Sequence, residues 1–453
     1  MKNDFVSGRI LPSLVKFALP VLFALFLQAM YGGVDLLVVG RFSDNSNVSA
    51  VSTGSQIMQS LTTVITGLSM GTTVLLAQKI GSGKRREAGR IISAAVKQFA
   101  AISLFLTALF IVFARPLCKL MNAPAEAFDS TVSYLTICSA GLIFIVAYNV
   151  IGSIFRGIGD SKTPLMTVAI ACAANIIGDL LFVAVMKLGA SGAALATILA
   201  QALSVIVSIF LIRRQKLPFE IKKEDFRSGT DSGSYIRRML GLGVPIALQD
   251  FLVSVSFLVI MAIVNDLGLV YSASIGVAEK ICMFIMLVPI AFMQSLSSFV
   301  GQNEGAGQHS RSIKAMFCGM GVSLLFSIAM AVSVFLFGEE LAHIFANDRD
   351  TIVQAADYLK AYAIDTFLVS FLFCFCGYYN GCGRTRFVMV QGLIGAFGVR
   401  IPVSWIMSRI KPVSMFRIGL ASPCSTAVQI TLCFIVLIIM LKKEKTAAPA
   451  AKL

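Results

Sequence analysis

Stretches of about twenty mostly apolar residues recur along the whole chain, and each has the length a helix needs to cross a bilayer. Twelve are read from the sequence, at 13–39, 48–77, 91–114, 131–154, 164–187, 191–212, 240–265, 270–299, 314–337, 356–379, 387–408 and 416–441. Long runs of Leu, Phe, Ile and Gly favour helices over barrel strands, which alternate in pieces of ~10 residues. Of the 453 residues, 57% are hydrophobic and 13% are charged, whereas soluble domains carry ~25% charged residues. A soluble core cannot hide so much apolar surface, but hydrocarbon solvates it. The expected fold class is therefore an all-α integral membrane protein. The first run leads into Tyr31, Gly32, Gly33 and Asp35 without a small-residue cleavage site, so it reads as a first span and not as a signal peptide.

Twelve spans place both termini on one side. Most of the 38 Lys and Arg fall in the terminal tails and the even-numbered loops, and such enrichment marks the cytoplasmic face. Cytoplasmic termini and a multi-pass location in the cell (inner) membrane are expected. The net charge of +15 is explained by these scattered loop charges, so no nucleic-acid partner is expected. Ten Cys and two His show no zinc-site spacing, and most of the cysteines read as small buried apolar groups. No cofactor is expected.

An internal repeat organises the chain. At a shift of about 224 residues Pro20 meets Pro245, and Ser49-Ala50 meets Ser272-Ala273. Gln78 then meets Gln302, and Tyr134-Leu135 meets Tyr358-Leu359. Arg156-Gly157-Ile158-Gly159 falls on Asn380-Gly381-Cys382-Gly383, and Lys162 on Arg386. Paired glycines are common in membrane loops, but an ordered series of matches is not. Each copy holds six helices, an even number, so both copies start on the same side. Two six-helix bundles related by a pseudo-twofold axis along the membrane normal are expected. The sequence divides into an N-terminal lobe (1–213), a basic cytoplasmic linker (214–239) and a C-terminal lobe with its tail (240–453). One chain already contains both halves, which suits a monomer.

An acid inside a span is costly and calls for a reason. In the first half these are Asp35 in span 1 and Asp179 in span 5, with Asn175 one turn before Asp179 on the same face. Thr197 in span 6, with Tyr134 and Asn149 in span 4, are polar companions. The second half offers Asp250, Glu279 and Asp365 as further polar sites, and Lys280, Lys360 and Arg400 as cations. Asp35 follows Pro20 on one helix. Proline removes a backbone hydrogen bond and tends to kink a helix, so a bending helix that carries an acid is expected there. A structural Asp tied to nearby hydroxyls or a lysine is the plain alternative. Two neighbouring acids suit a shared proton, or a hard cation such as sodium held at Asp35 and Asp179 with Asn and Thr oxygens. Arg156-Gly-Ile-Gly-Asp-Ser-Lys-Thr-Pro164 lacks phosphate-loop spacing and reads as a tight turn that opens span 5, with its proline placed early in the helix.

The run from Pro20 through Gln28-Ala-Met-Tyr31-Gly-Gly-Val-Asp35 to Gly40 resembles the first helix of the multidrug and toxic compound extrusion (MATE) transporters. Gln78 to Gly83, Arg156 to Pro164, Asn175 to Asp179 and Gln302 to Gly307 fit the same family in order, so the resemblance covers about residues 10–440. It implies a secondary antiporter that exports organic, cationic, amphipathic small molecules by alternating access as protons or sodium ions enter. In the DinF-like branch the first-half acids carry the ion. Asp35 and Asp179 match those positions, with Asn175, Tyr134 and Thr197 as companions. Asn149 or Gly152 occupies the place of the asparagine in span 4. The NorM-like branch uses a glutamate in span 7, where this chain has an apolar residue near Val253. It also uses an acid in span 10, one helical turn from Asp365. The DinF-like branch is therefore expected. The alternative is a related flippase for a lipid-linked precursor, whose cavity would present several cations to a phosphate. An enzyme would need a nucleophile–base pair or a metal cluster, and neither is visible in the spans.

Overall fold

The structure is a computed structural model that describes residues 5–214, 225 and 229–447. Residues 215–224 and 226–228 of the expected linker, and the two chain ends, lie outside the described residues. The described chain is all-α. Ten helices are long and apolar enough to cross a membrane, and two bent pairs bring the spans to twelve.

The first six are α1 (Ile10–Phe42), α2 (Asn45–Gly81), α3 (Arg85–Val112), the bent pair α4 (Ala125–Ala140 and Leu142–Ile158), α5 (Lys162–Val185) and α6 (Gly189–Arg214). The second six are α7 (Gly229–Asn265), the bent pair α8 (Leu269–Ile285 and Leu287–Gly305), α9 (His309–Leu336), α10 (Arg349–Gly381), α11 (Thr385–Arg409) and α12 (Met415–Lys443). Each of the twelve expected spans falls on one of these, most with ends within about seven residues, whereas α7 begins eleven residues early, inside the stretch expected as linker.

Helix starts follow side-chain chemistry. Asp44 caps α2, accepting from the Asn47 amide at 3.1 Å. Asp348 caps α10, accepting from the Thr351 amide at 2.9 Å and the Thr351 hydroxyl at 2.7 Å. Asp160 receives the Lys162 and Thr163 amides at 2.9 and 3.1 Å, which opens α5 as the turn sequence predicts. These bonds satisfy amides that the first helical turn leaves without partners. They also hold the Asp44 and Asp348 carboxyls below the usual carboxylate range. For Asp44 the Asn47 amide is the main cause, and for Asp348 the Thr351 side chain is.

The bends lie away from Pro20. α1 runs unbroken through that proline, whereas α4 bends by 52° and α8 by 41°. In α8 the cause is Pro289, which has no N–H to offer the Ile285 carbonyl, so the helix breaks one turn ahead of it. In α4 the break falls at Gly141, whose Cα faces the Ile198 side chain so closely that a Cβ would collide with it.

Two compact units emerge. The first holds residues Met1–Ala247 with Ser298–His309, and the second holds Leu248–Ser297 with Ser310–Leu453. The first is packed around Ile65, Leu76, Ile91, Phe99, Leu135 and Leu142. Lipid tails are as apolar as leucine, so small residues that let backbones approach do much of the work between membrane helices. Gly81 of α2 and Gly305 of α8, equivalent in the repeat, cross here in a reciprocal contact. A Cβ on Gly81 would strike the Gln302 carbonyl, and one on Gly305 would strike the Gln78 carbonyl. The second unit is packed around Ile260, Ile275, Ile281, Leu359, Tyr362 and Ile418. Repeat-equivalent turns share a backbone. Gly83 and Gly307 have φ of 75° and 72°, and Gly159 and Gly383 have 86° and 78°, values that favour glycine because it lacks a Cβ.

Candidate functional site

Three helices of the first unit bring the expected ionisable groups together. α1 supplies Asp35, α5 supplies Asn175 and Asp179 on one face, and α6 supplies Thr197. All but Thr197 are buried. The Thr197 hydroxyl lies 3.4 Å from Asp35 Oδ2 and 3.0 Å from the Ala193 carbonyl, which is the stronger acceptor by distance. Asp35 also faces Asn175 and Asp179. Apart from facing one another, both oxygens of Asp179, the amide oxygen and nitrogen of Asn175, and Oδ1 of Asp35 have no hydrogen-bond partner. Burying polar atoms without partners is unfavourable, and two adjacent carboxylates at hydrocarbon depth cannot both be ionised without a counter-charge. Asp179 is followed at once by a turn of π-helix, Leu180–Val185, a departure from α-geometry often found at functional sites.

The remaining first-half candidates lie around this cluster in different ways. Tyr134 is buried with its ring packed on Gly54. Asn149 is engaged elsewhere, accepting from Thr66 Oγ1 at 3.1 Å and donating to the Ile145 carbonyl at 2.8 Å. Sequence reasoning did not single out Tyr148, which accepts a 2.7 Å bond from Gln28 Nε2. A tyrosine in a largely apolar span carries no signal until its partner is in view.

The second unit contains a cavity of about 420 Å³ lined by all three second-half acids, Asp250, Glu279 and Asp365. Of the three candidate cations only Arg400 reaches it. Lys280 instead lies 5.6 Å from the Phe345 ring centroid, and Lys360 pairs with Asp357 at 3.1 Å. Val253 also lines the cavity, alongside Met283, Met286 and Tyr362. Among the described residues no group of three or more His, Cys, Asp or Glu has the arrangement of a metal site.

A sequence profile of the MatE family matches residues 20–181 and again 245–406, two segments at the repeat spacing read from the sequence. The probable multidrug resistance protein YpnP of Bacillus subtilis (strain 168) is 27% identical over 406 residues, 89% of this chain and 90% of that protein. The probable multidrug resistance protein NorM of Thermotoga maritima is 26% identical over 423 residues, 90% of this chain and 86% of that protein. A crystal structure of a MATE transporter in its bent conformation superposes with a TM-score of 0.91 at 18% identity, covering 99% of both chains; at that identity it shows the fold alone. Fold and matches together define a multi-pass membrane transporter of small molecules. The chain belongs to the MatE family, the multidrug and toxic compound extrusion transporters. Members of this family are transporters and not enzymes, and they use ion coupling without a cofactor.

Proposed function

We propose that this protein is a secondary antiporter that exports organic, cationic, amphipathic compounds in exchange for protons or sodium ions, by alternating access between its two lobes (1–213 and 240–453). One observation carries the reading. Asp35, Asn175 and Asp179 hold five unpartnered polar atoms together in one buried cluster, which is the chemistry of a site that takes up and releases a small cation. Loading this site changes the charge at the junction of α1, α5 and α6, and only a difference in binding between two conformations can drive the switch. Pro20 is the proposed point of flexure in α1. Coupling through first-lobe acids corresponds to the DinF-like branch. We further infer a monomer in the cell (inner) membrane with both termini cytoplasmic, in line with the basic even-numbered loops. The flippase reading finds less support, because Lys280 and Lys360 are engaged away from the cavity and leave Arg400 as its single cation among the three candidates.

The test is substrate transport in vesicles under an imposed gradient, run with sodium omitted and separately with the proton gradient collapsed. Asp35→Asn is expected to abolish coupled export. Undiminished export by that variant would sink the assignment.

A further inference from the structure

Phe5 is buried where burial is least expected. It stands in a turn ahead of α1, outside any helix, yet it is 1% exposed and is, with Phe17 and Phe299, among the largest fully buried side chains. The chain folds back over α1, so that the Phe5 ring meets Phe17 edge-on with centroids 5.1 Å apart and lies 4.9 Å from the ring of Phe299 on α8. The Asn303 amide, one turn further along α8, donates to the Phe5 carbonyl at 3.2 Å and to the Phe299 carbonyl at 2.7 Å. Gly159, in the turn between α4 and α5, lets this ring approach, because a Cβ there would press on both the Phe5 ring and Gln302 Nε2. The last turns of α8 are thus seated against α1, the α4–α5 turn and the folded-back segment, all within the first unit.

The other ties of this seat are polar. Ser298 donates to the Arg156 carbonyl, and Gln302 Nε2 donates to the Gly157 carbonyl at 3.1 Å. Such bonds have modest net strength because other partners replace them, whereas a buried aromatic ring dominates the contacts it joins. Phe5 has no counterpart in the repeat, since the shift of 224 residues puts Gly229 in its place. α8 itself passes from one unit to the other as one unbroken helix, Leu287–Gly305, with residues up to Ser297 in the second unit and those from Ser298 in the first. A motion between the units must bend α8 at that boundary or lift its end from the seat. Packed contacts switch between discrete arrangements more readily than they deform, which favours lifting.

We propose that Phe5 is a latch that opens in every transport cycle. Seated between Phe17 and Phe299, it fixes the end of α8 on the first unit. Withdrawn, it frees that end to move with the rest of α8. This rests on the alternating-access reading for what the motion accomplishes, but the seat itself lies wholly within the first unit.

The experiment uses the full-length protein. Phe5→Cys and Phe299→Cys, combined and oxidised in reconstituted vesicles, tie the latch shut, and each single variant controls for the ten native cysteines. The cross-link is expected to lower gradient-driven export of the organic cation ethidium by about tenfold or more, as blocking a conformational step does. Dithiothreitol should restore the rate, and ethidium binding should be unchanged. Undiminished export by the cross-linked protein overturns the proposal, because an anchor that never opens tolerates the link. Phe5→Ala is read by hydrogen–deuterium exchange in lipid nanodiscs with no gradient present. Amides at 298–305 are expected to exchange about tenfold faster, with α10 of the second unit unchanged. Phe5→Leu, which refills the seat without a ring, should restore most of the protection. Unchanged exchange at 298–305 in Phe5→Ala, or an equal rise in α10, also overturns the latch. A wild type that exports nothing under either gradient counts against the export reading alone, and the exchange pattern then decides the latch.

Discussion

The two halves share a scaffold and bury opposite charges on spans 5 and 11, beside turns of π-helix that lie about ten residues apart in the repeat register. Span 5 and its repeat partner span 11 each leave α-geometry for about one turn, at Leu180–Val185 and at Ile394–Arg400. In the first half the residue that enters this turn is Asp179, and it faces a second acid, Asp35. In the second half the residue that leaves it is Arg400, in a wall with three acids. Among the described residues the first cluster forms no ion pair with a Lys or Arg, which suits the proposed uptake of an ion from solution. The second contains its own cation.

Swapping the acids tests that contrast most sharply. Asp35→Asn or Asp179→Asn should lower gradient-driven export by about two orders of magnitude, a loss typical of removing a proton-transfer group. Asp365→Asn should keep most of the rate, as measured in the same vesicles. Equal losses in both halves would erase the distinction. A packing comparison comes next. Gly81→Ala drives a methyl into the Gln302 backbone and should destabilise the protein by about 1–3 kcal/mol. Gly321→Ala in α9 of the second unit meets nothing within 4 Å and should be neutral or stabilise by about 0.5–1 kcal/mol. Thermal unfolding in detergent separates the two.

Thr197→Ala should be milder than either acid change. Its hydroxyl sits closer to the Ala193 carbonyl than to Asp35, so a fewfold shift in the proton or sodium concentration for half-maximal export is expected. The smallest effect concerns the caps of α2 and α10. The carboxyls of Asp44 and Asp348 are held low by their hydrogen bonds. Their contribution is therefore complete above the ordinary Asp value of about 4 and is lost as pH falls through the depressed one. Melting temperature should decline on acidification in the wild type, and the decline should be shallower in Asp348→Asn.

The spans were legible because lipid imposes a single requirement, an apolar run of fixed length whose backbone bonds close within the helix. The repeat was legible because turns with positive φ need glycine, so Gly83, Gly159, Gly307 and Gly383 leave a trace in the sequence. The bends were harder to read. Pro20 and Pro289 look alike in the sequence, yet α1 passes through the first unbroken while α8 breaks just before the second. Which lost hydrogen bond becomes a bend depends on the packing around it.

By itself the sequence determined the membrane class, the number of spans, the duplication and the supply of costly intramembrane acids, since each follows from local composition or spacing. Only the tertiary structure decided which of those acids meet. It set Asp35 beside Asp179 across two helices, turned Asn149 towards Thr66, and drew Arg400 into the second cavity while Lys280 and Lys360 stayed outside. Such meetings depend on helix rotation and crossing, which arise from contacts between residues far apart in the chain, and no single span records them.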